Sequence, residues 1–364
     1  MNKHAIVGFS DHVFTNLYID VLINKCSVDP NSIELICLGD IEDTNENSRV
    51  HKVRFRDVLP EQFIDFKSIT FISLNSFNSS YLEIIISYTR DNIYIYLTDD
   101  ELARWKLSKI ENGKVSKSNK LNIGESCVNV LPKIKNFISL GSVYREPLES
   151  VLERNDFDII EGRDPFGTMP VEHLELLKRI YDIGSLHDSS EKSVLIGSKQ
   201  GVFSAKEVID IIRSFNRNNL LDEFKFHIFT NKNNRKARVI IDLYALYMRK
   251  IRKVKIDIGF PIATNSLTYS NLVMSCSVFL LQGRGGISTA RTYLRFSRGI
   301  IAVQKNTPNE SELVKGLGID LISYTDFDDL VSQVINQSVD IERNSQKIEI
   351  DLKRSYDSLG NLYQ

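Results

Sequence analysis

The densest chemical signal in the chain is the run Leu280-Leu281-Gln282-Gly283-Arg284-Gly285-Gly286-Ile287-Ser288-Thr289-Ala290-Arg291. An apolar run ends here and an amphipathic one begins, so the glycines stand where a strand turns into a helix. Glycine lets that backbone take positive φ and come close to a ligand. The free N–H groups of the first helical turn, with the helix dipole, favour a phosphate at this point. Gly285 and Gly286 are the predicted approach surface. Ser288 and Thr289 either cap the helix or donate hydroxyls to phosphate, and Arg284 or Arg291 pairs with its charge. A tight turn capped by Ser288 is the plain structural alternative, because glycine-rich turns recur across α/β folds.

A second loop has related chemistry. Val194-Leu195-Ile196-Gly197-Ser198-Lys199-Gln200-Gly201 again runs from an apolar segment into glycine and serine. It fits neither the dinucleotide fingerprint nor the P-loop. If 194–196 is a central strand, Ser198 and Lys199 lie beside the 283–289 loop, and Lys199 is either a second phosphate cation or a solvated loop lysine. Phe260 follows a third apolar run and either stacks on a base or closes a strand end as a buried aromatic. Arg235, Lys236, Arg238, Arg249, Lys250, Arg252, Lys253 and Lys255 flank an apolar helix. They make a face for anionic lipid or, more commonly, a solvated helix end.

The elements that must position these residues alternate between short β-branched or aromatic runs and longer amphipathic ones, which predicts parallel sheets with crossover helices. Strands are expected at 5–9, 33–38, 69–74, 93–97 and 157–160, with helices at 13–25 and 80–89 and a long helix at 128–155 broken near Gly141. A second series follows a helix at 171–180. Its strands are expected at 194–196, 224–229, 254–258, 278–281, 300–303 and 321–324. Its helices are expected at 205–215, 235–249, 269–276, 288–296, 310–317, 326–334 and 339–358. The predicted class is α/β, with two Rossmann-like domains facing a cleft: 1–168, a linker at 169–192, 193–338, and a C-terminal helix in 339–364 that crosses back. In such sheets ligands bind at the carboxyl ends of strands.

Composition narrows the function. A chain of 364 residues, 42% hydrophobic and 26% charged, suits two globular domains. Its net charge of −1 gives no general affinity for nucleic acid, so any anion site is local. Cys26, Cys37, Cys127 and Cys276 are widely spaced, which argues against a zinc site or a disulfide framework. The first apolar run is too short for a signal peptide and no run suffices for a membrane span, so a cytoplasmic protein is expected, at most peripheral at the inner face of the plasma membrane.

The segment 267–306, with Tyr269-Ser270-Asn271-Leu272, Val278-Phe279-Leu280-Leu281 and Gly285-Gly286-Ile287-Ser288-Thr289, resembles the donor-binding half of GT-B glycosyltransferases. More narrowly it is similar to the 4-acetamido-4,6-dideoxygalactose transferases of enterobacterial common antigen synthesis. Gly8-Phe9-Ser10-Asp11, Ile196-Gly197-Ser198, Tyr96-Leu97-Thr98-Asp99-Asp100 and Gly162-Arg163-Asp164 extend the likeness thinly. The sequence departs from the pattern at Gly283-Arg284-Gly285-Gly286, where the family has glutamines. Arg291 and Arg298 stand where retaining members of the wider superfamily carry acidic residues.

The resemblance implies sugar transfer from a nucleotide-sugar to a glycan or lipid-linked acceptor in bacterial surface polysaccharide synthesis, inverting, without a metal and with no cofactor beyond the donor. Inverting transfer needs a base for the acceptor hydroxyl and cations for the departing diphosphate. Asp11, after the first strand, is the first choice for the base or else the N-cap of the helix at 13–25. His12 is the substitute. Asp99 and Asp100 are further carboxylate candidates, and Trp105 either stacks on a sugar or is buried against the sheet. A sialyltransferase using Thr98-Asp99-Asp100-Glu101, and a non-catalytic GT-B-like module that binds a glycan or partner, are the competing readings.

Overall fold

The computed structural model describes residues 3–41, 49–97, 99–162, 192–199, 201–229, 235–262, 265–296, 299–336 and 338–364, with Leu176. Contacts divide the chain into two compact units, Met1–Phe166 with Leu352–Gln364, and Gly167–Asp351. The linker expected at 169–192 and the helix expected at 171–180 fall almost wholly outside the described residues.

The first unit holds seven parallel strands: β1 (His4–Gly8), β2 (Ile33–Cys37), β3 (His51–Arg54), β4 (Ser68–Ile72), β5 (Ile93–Tyr96), β6 (Asn136–Ser139) and β7 (Asp158–Glu161). Their order is β3-β2-β1-β4-β5-β6-β7. β1 and β4 are buried at every position, the pattern of a strand covered on both faces. The expected long helix at 128–155 is corrected. Its middle is β6, which pairs in parallel with β5 and β7, with a short helix Glu125–Val130 before it and the helix Gly141–Leu152 after it. Four residues are too few to show a period of their own, so sheet pairing decided their conformation. β3 also escapes the sequence reading, because an edge strand with exposed and half-buried positions lacks an apolar run.

The second unit holds β8 (Lys192–Ile196), β9 (Phe224–Ile228), β10 (Asp257–Gly259), β11 (Val278–Leu281), β12 (Ile300–Gln304) and β13 (Ile322–Tyr324). These are ordered β10-β9-β8-β11-β12-β13. Phe226, Leu280, Ala302 and Ile322 form the centre of its core with Ile211, Phe215 and Ile241 from the crossover helices. The helix Ala205–Arg217 illustrates local control. Ser204 accepts from the Glu207 amide at 3.2 Å while Glu207 accepts from the Ser204 amide at 2.7 Å, a reciprocal cap legible in the sequence.

The last helix, Ile341–Leu362, begins in the second unit, and the chain from Leu352 belongs to the first. Leu359 and Tyr363 are buried in the first core. The Tyr363 hydroxyl lies 2.6 Å from Thr70 Oγ1 and 3.3 Å from that of Tyr18. A side chain at Gly162 would meet Leu359 at 2.7 Å, so glycine there admits the helix.

His4, packed on the Tyr363 ring at 5.1 Å and 2.8 Å from Ser68 Oγ, has its pKa lowered to about 4 by burial and by the charge of Lys67. The unfolded chain therefore binds a proton here below about 6.5 that the folded chain refuses until about 4. Stability from His4 is complete above the unfolded value and falls away as pH drops from 6.5 towards 4, by about 3 kcal/mol. Urea unfolding at pH 7 and pH 4.5 should show a smaller acid loss in His4→Gln than in the wild type.

Candidate functional site

In each sheet the chain reverses its direction of growth at one pair of neighbouring strands, β1 with β4 and β8 with β11. At such switch points the loops leave in opposite directions and open a crevice at the carboxyl ends. Both chemically loaded loops of the second unit, 197–199 and 282–286, follow this pair.

Gln282 ties them together. It is buried, accepts from the Ser198 amide at 3.0 Å, and donates to Ser198 Oγ at 2.6 Å and to the Gly285 carbonyl at 2.8 Å. Asn309, beyond β12, donates to the carbonyls of Gln282 at 2.6 Å and Gly285 at 2.8 Å. The Tyr269 hydroxyl donates to the Ser198 carbonyl and lies 3.2 Å from Thr289 Oγ1, with its ring stacked on Phe229 at 5.5 Å. Ser198, expected beside the 283–289 loop, is found there, and it and Thr289, expected either to cap the helix or to offer its hydroxyl, are buried inside this lattice and hold the loops in place. Gln282→Leu should strip the Ser198 amide of its side-chain partner and leave the Gly285 carbonyl with Asn309 alone, and cost about 2–4 kcal/mol, measured by urea unfolding.

The lattice presents the turn. Gly285 and Gly286 take φ of +76° and +80°. Gly286 is the N-cap of the helix Ile287–Arg295, so Ser288, expected as the cap, lies within the first turn and is half-buried. A Cβ on Gly286 would come within 2.3 Å of Ser198 Oγ and 2.7 Å of Gln282 Nε2, whereas one on Gly285 would meet nothing within 4 Å. Gly285 is thus the open side of the turn and Gly286 the packed side. Arg284 and Lys199 are exposed beside it. Arg291 is not available to an anion, because its guanidinium is buried against the Asp351 carboxylate. Arg298 lies outside the described residues. Of the two readings of Phe260, the structure has the aromatic at a strand end: it follows β10, two strands from β8, packs partly buried on the core, and carries the Arg238 guanidinium 4.9 Å from its ring centre.

The first unit has a cavity of about 390 Å³ at its own switch point. Gly8 at the end of β1, Phe9 and His12 after it, and Ser73, Asn75 and Asn78 after β4, line it with Glu101 and Arg104. His12 caps the helix Val13–Asn24, its Nδ1 accepting from the Phe14 amide at 3.3 Å. Asp11 is exposed in the preceding turn, neither capping the helix nor lining the cavity. Asp99 and Asp100 open the helix Asp99–Asn112, and their side chains lie outside the described residues, as does Thr98. Among the described residues, the carboxylate at the cavity is Glu101, which is buried and accepts from Ser73 Oγ.

Ser73 takes a left-handed φ of +69°, uncommon for a residue with a side chain. Asn78 Nδ2 holds its carbonyl at 2.9 Å and Asn75 Nδ2 its hydroxyl at 3.3 Å. Ser73, Asn75 and Arg104 were missed from sequence, and Glu101 entered only within the run 98–101 of the sialyltransferase reading; the Asn- and Ser-rich stretch 75–80 soon after a buried strand was the available signal for the loop after β4. Trp105 is buried, so its place is in the core. Burial pushes the Cys127 and Cys276 thiols up to about 11, which leaves them unreactive. Among the described residues no group of three His, Cys, Asp or Glu is placed to hold a metal ion.

No protein-family model matches the chain, and no curated protein matches its sequence. Solved structures match it from end to end. A UDP-forming α,α-trehalose-phosphate synthase from Burkholderia xenovorans aligns with TM-score 0.58 at 9% identity, over 99% of this chain and 97% of that one. A glycosyltransferase from Rickettsia africae aligns with TM-score 0.52 at 12% identity, over 100% and 96%. The N-terminal domain of a trehalose-6-phosphate phosphatase from Candida albicans aligns with TM-score 0.56 at 12% identity, over 99% and 95%. The chain has the GT-B fold. In GT-B terms, the unit containing β1–β7 is the N-terminal Rossmann-like domain and the unit containing β8–β13 the C-terminal one. Identities this low establish the fold and leave the chemistry to the loops.

Proposed function

We propose that this protein is a glycosyltransferase that moves a sugar from a nucleotide-sugar to a glycan or lipid-linked acceptor in bacterial surface polysaccharide synthesis. One observation carries the reading: a GT-B fold keeps a rigid, open glycine turn at the switch point of its second sheet, with Arg284 and Lys199 exposed beside it. The donor diphosphate sits over Gly285, against the first-turn amides of the helix Ile287–Arg295, and the two cations stabilise it as it leaves. No metal ion is needed for that stabilisation.

The acceptor occupies the cavity of the first domain. Exposed Phe9, Phe14 and Phe77 at this cavity offer faces for a sugar ring, and Ser73 and Asn75 offer polar groups for its hydroxyls. His12 lines the cavity where Asp11 does not, and takes the acceptor proton on Nδ1, the ring nitrogen left unprotonated to accept from the Phe14 amide, giving up that contact as it does so. We favour inversion at the sugar carbon, because Arg291 occupies a position that is acidic in retaining relatives and is itself committed to Asp351. Among families, the resemblance of 267–306 favours 4-acetamido-4,6-dideoxygalactose transfer, in the cytoplasm at the inner face of the plasma membrane.

Thermal-shift screening against UDP, dTDP, GDP and CMP identifies the nucleotide, since a ligand of the native state raises the melting temperature. UDP is the first to test, given the UDP-forming synthases of the same fold. Arg284→Ala should weaken binding of the nucleotide so found by about 1–3 kcal/mol in calorimetry. An unshifted melting temperature with every nucleotide would remove the donor site from this turn. The anomeric configuration of the product, read by NMR, checks inversion.

A further inference from the structure

The helix Arg235–Lys250 is built inside out on its solvent side. Its inner face is conventional: Ile241, Ala245 and Met248 are buried in the second domain's core. At 3.6 residues per turn, Val239, Leu243, Leu246 and Tyr247 fall on the opposite side, where a surface helix ordinarily places polar residues. All four are exposed, Leu243 by 60%, and Ile251 at the helix end is 69% exposed. A contiguous apolar stripe of this kind marks a surface that meets something other than water.

Charge identifies the partner. Residues 235–255 carry eight Lys and Arg against one acid, Asp242, in a chain whose net charge is −1. Asp242 lies on the flank of the helix, 3.6 Å from Arg238. Lys236, Lys250, Arg252 and Lys253 are exposed at the two ends of the stripe. An apolar strip ended by cations matches a bilayer with anionic headgroups, with the strip entering the acyl boundary and long basic side chains reaching the headgroups. A second copy of the chain fits worse. Twofold pairing would set the same basic ends against each other.

We infer that the outer face of Arg235–Lys250, continued through Lys253, is a docking surface for an anionic membrane. This deepens the reading that the protein glycosylates a lipid-linked acceptor, because it holds the enzyme at the surface where such an acceptor is found. The experiment is flotation of the full-length protein with vesicles of phosphatidylcholine alone, or of phosphatidylcholine and phosphatidylglycerol in equal amounts. Binding is expected only to the mixed vesicles, and it should weaken as salt rises. Leu243→Glu and the double variant Lys250→Glu with Lys253→Glu should each weaken it at least about tenfold, with unchanged melting temperature. Failure of the wild type to float with mixed vesicles, or equal binding by both variants, overturns the inference. A dimer seen by light scattering and dissolved by Leu243→Glu overturns it too, assigning the face to a second copy. Flotation uses neither nucleotide nor acceptor, so this result stands or falls separately from sugar transfer.

Discussion

His12→Asn should lower sugar transfer by about 10²–10⁴-fold while leaving the protein as stable as the wild type. The two expectations separate because the cap that His12 forms and the base role proposed for it make different demands on the side chain. Its Nδ1 caps the helix Val13–Asn24, and asparagine caps at least as well. What asparagine cannot do is accept a proton in the range where imidazole does. Nucleotide affinity should also be kept, because the glycine turn belongs to the other domain. Asp11→Asn is the matched control. Asp11 is exposed, outside the cavity and not the cap, so its replacement should be nearly silent in both transfer and stability. A transfer assay on the two variants, with urea unfolding alongside, decides the matter. Wild-type turnover by His12→Asn would move the search for the base to Glu101, the carboxylate at the same cavity.

Gly285→Asp should abolish nucleotide binding in a protein that still folds. The open space around a Cβ at Gly285 means that the new side chain enters the proposed ligand space rather than the core. Aspartate tolerates the left-handed backbone that φ of +76° demands better than most residues. Its charge then faces the phosphates directly. Gly286→Ala gives the contrasting result. Its Cβ would press on Ser198 and Gln282, so unfolding should shift first, with binding lost through the turn's collapse. Calorimetry with the nucleotide, paired with thermal melting, distinguishes the two. Full nucleotide affinity in a folded Gly285→Asp would take the phosphate away from this helix.

The amino-acid sequence alone determined the alternating α/β plan, because strands buried on both faces, such as Ala5–Val7 and Val278–Leu281, show as unbroken apolar runs. It also marked the turn at Gly285 and Gly286, since positive φ at successive positions before a helix selects for glycine. It could not show β3 or β6, whose few residues take extended form only through their neighbours in the sheet. The site divided along the same line. That Ser198 and Thr289 are braces and Gln282 the tie between them depends on β8 pairing with β11, across 84 positions of sequence. That His12 rather than Asp11 reaches the cavity depends on where the first helix begins, a phase difference of one residue. That Glu101 and Arg104 are at the cavity depends on how their helix packs beside the loop after β4. Local propensity and periodicity are written in adjacent residues, whereas a side chain's partner is chosen by contacts that only the closed sheet creates.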